Sequence, residues 1–124
     1  MNMTAKELNI KLYSFFPELE SEYNDCVSWQ DGHETGSHVV FSSVLVPYII
    51  KSANEQNFLA LRKCFDFIEA VLSFEDFHSE GVIAFSVLES LIFSEELHTD
   101  IYQYLKPKTR KLFNELIESQ TANQ

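Results

Sequence analysis

The longest nearly unbroken apolar run in the chain is His38-Val39-Val40-Phe41-Ser42-Ser43-Val44-Leu45-Val46-Pro47-Tyr48-Ile49-Ile50, interrupted only by a serine pair and a proline. It reads as the first core helix. A weaker copy returns near Val82. Laying residues 39–50 over residues 82–93 without a gap matches Val39 with Val82, Ser43-Val44-Leu45 with Ser86-Val87-Leu88, and Ile49 with Ile92, at an offset of 43 residues. HEAT and armadillo units, which bury a face by stacking on a neighbour, recur at such a period. Two apolar helices also match by chance, and both readings stay open at this point.

The flanking pattern predicts further helices. Thr4-Ala5-Lys6-Glu7 fits a capping box, and Leu8, Leu12 and Phe15 follow at helical spacing, so a helix is expected from about Ala5 to Phe15. Phe16-Pro17 ends it, and Pro17 is suited to open a second helix. Glu18, Glu20 and Glu22 in its first turns complement the helix dipole, while Leu19, Tyr23 and Cys26 or Val27 form its inner face. Residues 28–37 carry no helical period and hold two of the three glycines, so they read as one long loop. A fourth helix is expected from Asn54 or Glu55 to Phe74. Its two stripes, Phe58-Leu61-Phe65-Ile68-Leu72 and Ala60-Cys64-Phe67-Val71-Phe74, place it centrally, with Arg62, Lys63, Asp66 and Glu69 on the wet side. An acidic connection from Glu75 to Glu80 precedes a fifth helix over 81–93. A short helix over 95–104, a final helix restarted at Lys106-Pro107-Lys108 with Leu112, Phe113, Leu116 and Ile117 inside, and a frayed tail over 120–124 complete the reading. Pro47 is expected to bend the first core helix, since its missing amide frees the carbonyl of Ser43. The expected architecture is all-α, a single-domain helical bundle of about six to seven helices over residues 1–124, with HEAT/armadillo-like antiparallel helix pairs.

Composition narrows the function. The 124 residues suffice for one core. Three separated glycines nearly exclude the glycine-rich phosphate cradles of nucleotide-binding folds. Net charge is −10, unevenly spread: six acids and no Lys or Arg from Pro17 to Glu34, nine acids and again no Lys or Arg from Cys64 to Leu105. Such a surface repels phosphate backbones, so direct nucleic-acid binding is not expected and a basic partner is the natural complement. An acidic surface also simply keeps a protein soluble. The amino terminus lacks the apolar core of a signal peptide and nothing approaches a membrane span, so a cytoplasmic protein is expected. Cys26 and Cys64 lack C-x-x-C spacing and read as buried thiols.

Catalytic chemistry finds little purchase. There is no G-x-S-x-G elbow, no cysteine in an activating context, and paired acids such as Glu75-Asp76 do not face one another on a helix. The protein is not expected to be an enzyme or to carry a cofactor. His33, Glu34 and His38 lie close in sequence, but their spacing is not that of a zinc helix, so no metal is expected there. His78 and His98, each beside acids, read as exposed capping or ion-pair histidines. Trp29, in the acidic loop, covers the end of the core or serves as a binding anchor. The candidate partner-binding residues are Trp29, Asp31, His33, Glu34 and His38, together with Glu75, Asp76 and Glu80.

Phe16-Pro17-Glu18-Leu19, Trp29, His38-Val39-Val40-Phe41, Val44-Leu45, Pro47-Tyr48, Ser86-Val87-Leu88-Glu89 and Lys106-Pro107-Lys108-Thr109 together span most of the chain. On these motifs it resembles a family of small helical bacterial proteins found in part among the immunity proteins of polymorphic-toxin and contact-dependent growth inhibition systems. It departs from the family pattern at Ser42-Ser43, where a small residue and an acid are usual, and at Thr35-Gly36-Ser37, where prolines are usual. The resemblance implies a HEAT-like helical fold and neutralisation of a cognate toxin by direct binding; together with the acid-rich segments Pro17 to Glu34 and Glu75 to Asp100 it leads to the expectation of a basic toxin domain of nuclease type. It carries over no active site. The alternative is a helical-repeat adaptor unrelated to toxins.

Overall fold

A computed structural model describes residues 2–94 and 101–122. The described chain is helical throughout its regular elements. Helix α1 (Ala5–Phe15) opens on the expected capping box: the Thr4 hydroxyl accepts from the Glu7 amide and the Glu7 carboxylate accepts from the Thr4 amide, both at 3.1 Å. Pro17 starts a single 3₁₀ turn (Pro17–Leu19) rather than the next α-helix. This turn buries Phe16 and Leu19 before α2 (Glu20–Val27) begins, with Tyr23 and Val27 on its inner face.

The apolar run forms α3, continuous over 37–54, and its echo forms α5, continuous over 77–93; between them lies α4 (Phe58–Leu72). Both α3 and α5 widen into a π-helical stretch, at Phe41–Leu45 and Val82–Leu88 respectively. In α3 the Val46 amide bonds the Phe41 carbonyl, and in α5 the Glu89 amide bonds the Ala84 carbonyl, each reaching five residues back. Those two bonds occupy equivalent positions at the 43-residue offset. Burial repeats as well, with Val40 and Ile83, Val44 and Val87, Leu45 and Leu88, and Ile49 and Ile92 all inside. The two widened stretches pack directly on one another. The internal echo is therefore structural, and the wide turn belongs to the repeated unit. Pro47 does not create it, because its counterpart in α5 is Ser90 and the same turn forms there.

The fourth predicted helix starts late and stops early. Residues 55–57 break the chain between α3 and α4 with Gln56 in the left-handed region at φ 56°. The Asn57 amide reaches back to the Ser52 carbonyl at 2.8 Å, the longer bond of a Schellman turn, and the Asn57 side chain then caps α4 by accepting from the Ala60 amide at 3.2 Å. Phe58 and Phe74, outermost in the predicted stripes, are exposed, since one is the first residue of α4 and the other lies past its end. A non-glycine residue at positive φ carries strain, so Gln56→Gly should stabilise the fold by about 0.5–1 kcal/mol and raise the thermal midpoint by a few degrees. A lower midpoint would mean that the Gln56 side chain packs in a way its backbone does not reveal.

Leu61, Cys64, Phe65, Ile68 and Val71 of α4 are buried in one core that runs from Leu8 to Phe113. Helix α6 (Pro107–Ala122) is fixed to α4 by Glu69, one of the residues expected on the wet side. Its carboxylate accepts from the Lys108 amide at 3.0 Å and from the Thr109 amide and hydroxyl at 2.9 and 2.8 Å, so α4 supplies the amino-terminal cap of α6. Partial burial pushes the Glu69 carboxyl up, but these donors outweigh it and hold it below its ordinary range. Helix α6 continues through part of the predicted frayed tail; residues 123 and 124, and 95–100 of the predicted short helix with His98, lie outside the described residues.

Candidate functional site

The loop between α2 and α3 is held from below by a residue the periodicity gives no reason to notice. Asn9 is fully buried on α1, donates to the carbonyls of His33 and Thr35 at 2.9 and 2.6 Å, and accepts from the Ser37 hydroxyl at 2.8 Å. His33 is fastened again through its Nδ1, which shares a hydrogen bond with the Tyr23 hydroxyl at 2.8 Å, and its ring packs beside Tyr13 and Tyr23. Gly32, at φ 58°, makes the turn, and its carbonyl accepts from the Thr35 hydroxyl at 2.7 Å. His33 thus has a role in fixing the loop.

Trp29 sits in the turn that follows α2 and is 81% exposed, so it does not cover the end of the core. It borders a shallow depression of about 550 Å³ with Glu22, Asp25 and the exposed Val39. The last turn of α2 holds no basic residue, so the negative end of the helix dipole adds to those carboxylates without a cation to offset it. Asp31 and Glu34 are exposed on the same loop. This arrangement offers an aromatic face within a negative field, suited to a Lys or Arg side chain.

The second predicted segment, Glu75 to Glu80, divides into three roles. Glu75 lies in the left-handed region at φ 53° in the turn after α4, with Lys108 Nζ at 3.7 Å. Asp76 is buried and is not available to a partner: it caps α5, accepting from the Ser79 amide and hydroxyl at 2.8 and 2.7 Å, and takes the Met3 amide at 2.6 Å. The Ser79 hydroxyl and these amides hold its carboxyl below the ordinary range. The rest of the predicted connection, Phe77 to Glu80, is the first turn of α5. Glu80 is exposed and lines a different groove, of about 510 Å³, which His38 also borders.

That groove unites residues far apart in sequence. Phe77, Phe85, Leu112 and Leu116 supply its apolar lining beside the small residues Gly81 and Ala84. The His38 and His78 rings approach edge to face at 6.4 Å, His38 bonded to the Ser86 hydroxyl and His78 to the Met3 carbonyl at 2.8 Å. His78 is therefore half-buried and tied to Met3 rather than an exposed cap. The eight predicted partner-binding residues do not form one site: Trp29, Asp31, His33 and Glu34 share the loop face, His38 and Glu80 share the groove, Glu75 is exposed at a separate cleft with Lys108, and Asp76 is buried as a helix cap. Phe77, Gly81 and Phe85 carry no motif or period that marks them as a site; two phenylalanines flanking a glycine are the signal the sequence offers.

Burial pushes the Cys64 thiol up to about 12 and raises Cys26 as well, so neither is an activated nucleophile. Among the described residues no three His, Cys, Asp or Glu side chains come together as a metal site. No helix among them is long and apolar enough to cross a membrane. Residues 10–121 match the family model of a domain of unknown function, DUF7674. The chain belongs to that family. No curated protein and no solved structure matches it. Membership covers α2 through α5 entire and most of α1 and α6, including both depressions, and its description carries no activity.

Proposed function

We propose that this DUF7674 protein is a binding protein rather than an enzyme, and that it neutralises a cognate bacterial toxin domain of basic, nuclease type in the cytoplasm. The observation that carries the reading is Trp29, 81% exposed beside Glu22 and Asp25 at the negative end of α2. Tryptophan is enriched among the residues that carry most of the binding energy at protein interfaces. A nuclease must present Lys and Arg to bind phosphates, and an acidic face competes for that surface and steers fast association. The immunity role itself is supported by the resemblance of the Pro17, Trp29, His38 and Lys106 motifs. A helical-repeat adaptor with a basic partner other than a toxin is the second reading, favoured by the equivalent widened turns of α3 and α5.

Co-expression with the toxin encoded by the neighbouring gene tests the proposal. Rescue of growth and a stable complex on a sizing column are expected. Trp29→Ala combined with Glu22→Lys and Asp25→Lys should weaken the complex by at least about thirtyfold and make association less salt-sensitive. Killing that the wild-type protein does not relieve, with no complex formed, sinks the toxin reading and leaves the adaptor.

A further inference from the structure

Helix α5 turns three large rings outward, and two of them, Phe77 at 86% and Phe85 at 62% exposed, border one groove, on the same helix whose opposite side is fully inside the core. Between them lies Gly81, in ordinary helical geometry. A Cβ added there would meet nothing within 4 Å, so neither backbone conformation nor internal packing calls for a glycine. Glycine in the interior of a helix is unfavourable, and where the chain does not need it, its use is to let another backbone come close. The electrostatics are one-sided. Among the described residues Glu80 is the only carboxylate lining the groove and no Lys or Arg lines it, and α5 contains neither. Glu80 also borders the adjoining cleft, which it shares with Glu75, Glu115, Lys108 and Lys111; there Lys108 faces Glu75.

We propose that the groove over Gly81 receives an amphipathic helix of a partner protein, its apolar side against Phe77, Phe85, Leu112 and Leu116 and a Lys or Arg of that helix paired with Glu80. The spacing supports a helix as occupant. Phe77 and Phe85 are two turns apart, about 12 Å along α5, and apolar anchors at i and i+7 on an incoming helix span about 10.5 Å. The groove is walled by helices and has no sheet edge to which an extended peptide could add, so a helix seated in a groove is the available mode. The site stands apart from the Trp29 face and does not depend on the partner being a toxin.

The probe is a labelled amphipathic peptide of about four turns made of leucine and lysine, with leucines at i, i+4, i+7 and i+11, and a control in which every lysine is glutamate. Fluorescence anisotropy should show the lysine peptide binding wild-type protein, and binding at least about tenfold weaker for Gly81→Phe, for Gly81→Leu, for Glu80→Lys, and for the glutamate control. Trp29→Ala should bind as wild type. Circular dichroism and thermal melts of both Gly81 variants should show an intact fold, since their side chains enter open space. Undiminished binding by the two Gly81 variants, or no binding by wild type, overturns the proposal, the former by tracing the attraction to general acidity. A wild-type dimer in sedimentation that Gly81→Phe dissociates also overturns it, because the occupant is then a second copy of the chain.

Discussion

Phe67→Ala should cost about 3–5 kcal/mol of stability. Phe67 of α4 is buried, and its ring meets Phe15 at 5.2 Å, Phe16 at 5.3 Å and Phe41 at 6.2 Å. One side chain therefore joins the end of α1, the turn after it and the widened stretch of α3. Removing it leaves a cavity bordered by three rings from three elements, which cannot all move in to fill it. Urea unfolding should show a lower midpoint at unchanged slope, and Phe67→Leu should recover more than half of the loss. A loss below about 1 kcal/mol would mean that the aromatic cluster repacks as a fluid rather than as one unit.

The second large effect is expected at Asn9. Asn9→Ala deletes two donors and one acceptor at once, leaving the carbonyls of His33 and Thr35 and the Ser37 hydroxyl without that partner, and Thr35 and Ser37 are themselves buried. Unmet buried polar groups cost about 1–3 kcal/mol each, and partial relief by water brings the expected total to about 2–4 kcal/mol. Asn9→Asp should be worse than alanine at neutral pH, because it sets a carboxylate against two carbonyl oxygens. Hydrogen exchange should speed up across residues 32–37 before it does in α4, and binding through Trp29 should weaken although Asn9 is far from any partner. A variant that loses less than about 0.5 kcal/mol and keeps its loop protection would show that Tyr23 and His33 hold the loop without Asn9.

The repeat was legible in the sequence because it rests on side-chain pattern: the buried positions of α3 recur in α5 at a fixed offset, and pattern is what burial selects. The capping box at Thr4 was legible for a similar reason, since both partners lie within one turn. The break at residues 55–57 was not, because Glu55-Gln56-Asn57 contains no glycine or proline and takes its left-handed residue without the usual mark. Asp76 looked like part of an acidic surface. An aspartate before a helix is equally a cap, and only the arrival of Met3, 73 residues away, decides how deeply it is buried.

The candidate surfaces divide along the same line. Local chemistry determined that the chain is helical, acidic and poor in catalytic motifs, and that Trp29 stands in a loop without basic neighbours. Tertiary structure alone decided that Trp29 faces out, that Asn9 and His33 hold its loop, and that His38, Phe77, Phe85 and Leu112 border one groove. The reason is physical: propensity and periodicity act over one or two turns, whereas a groove is the space left when α3, α5 and α6 settle on a common core, and its shape depends on every contact beneath it.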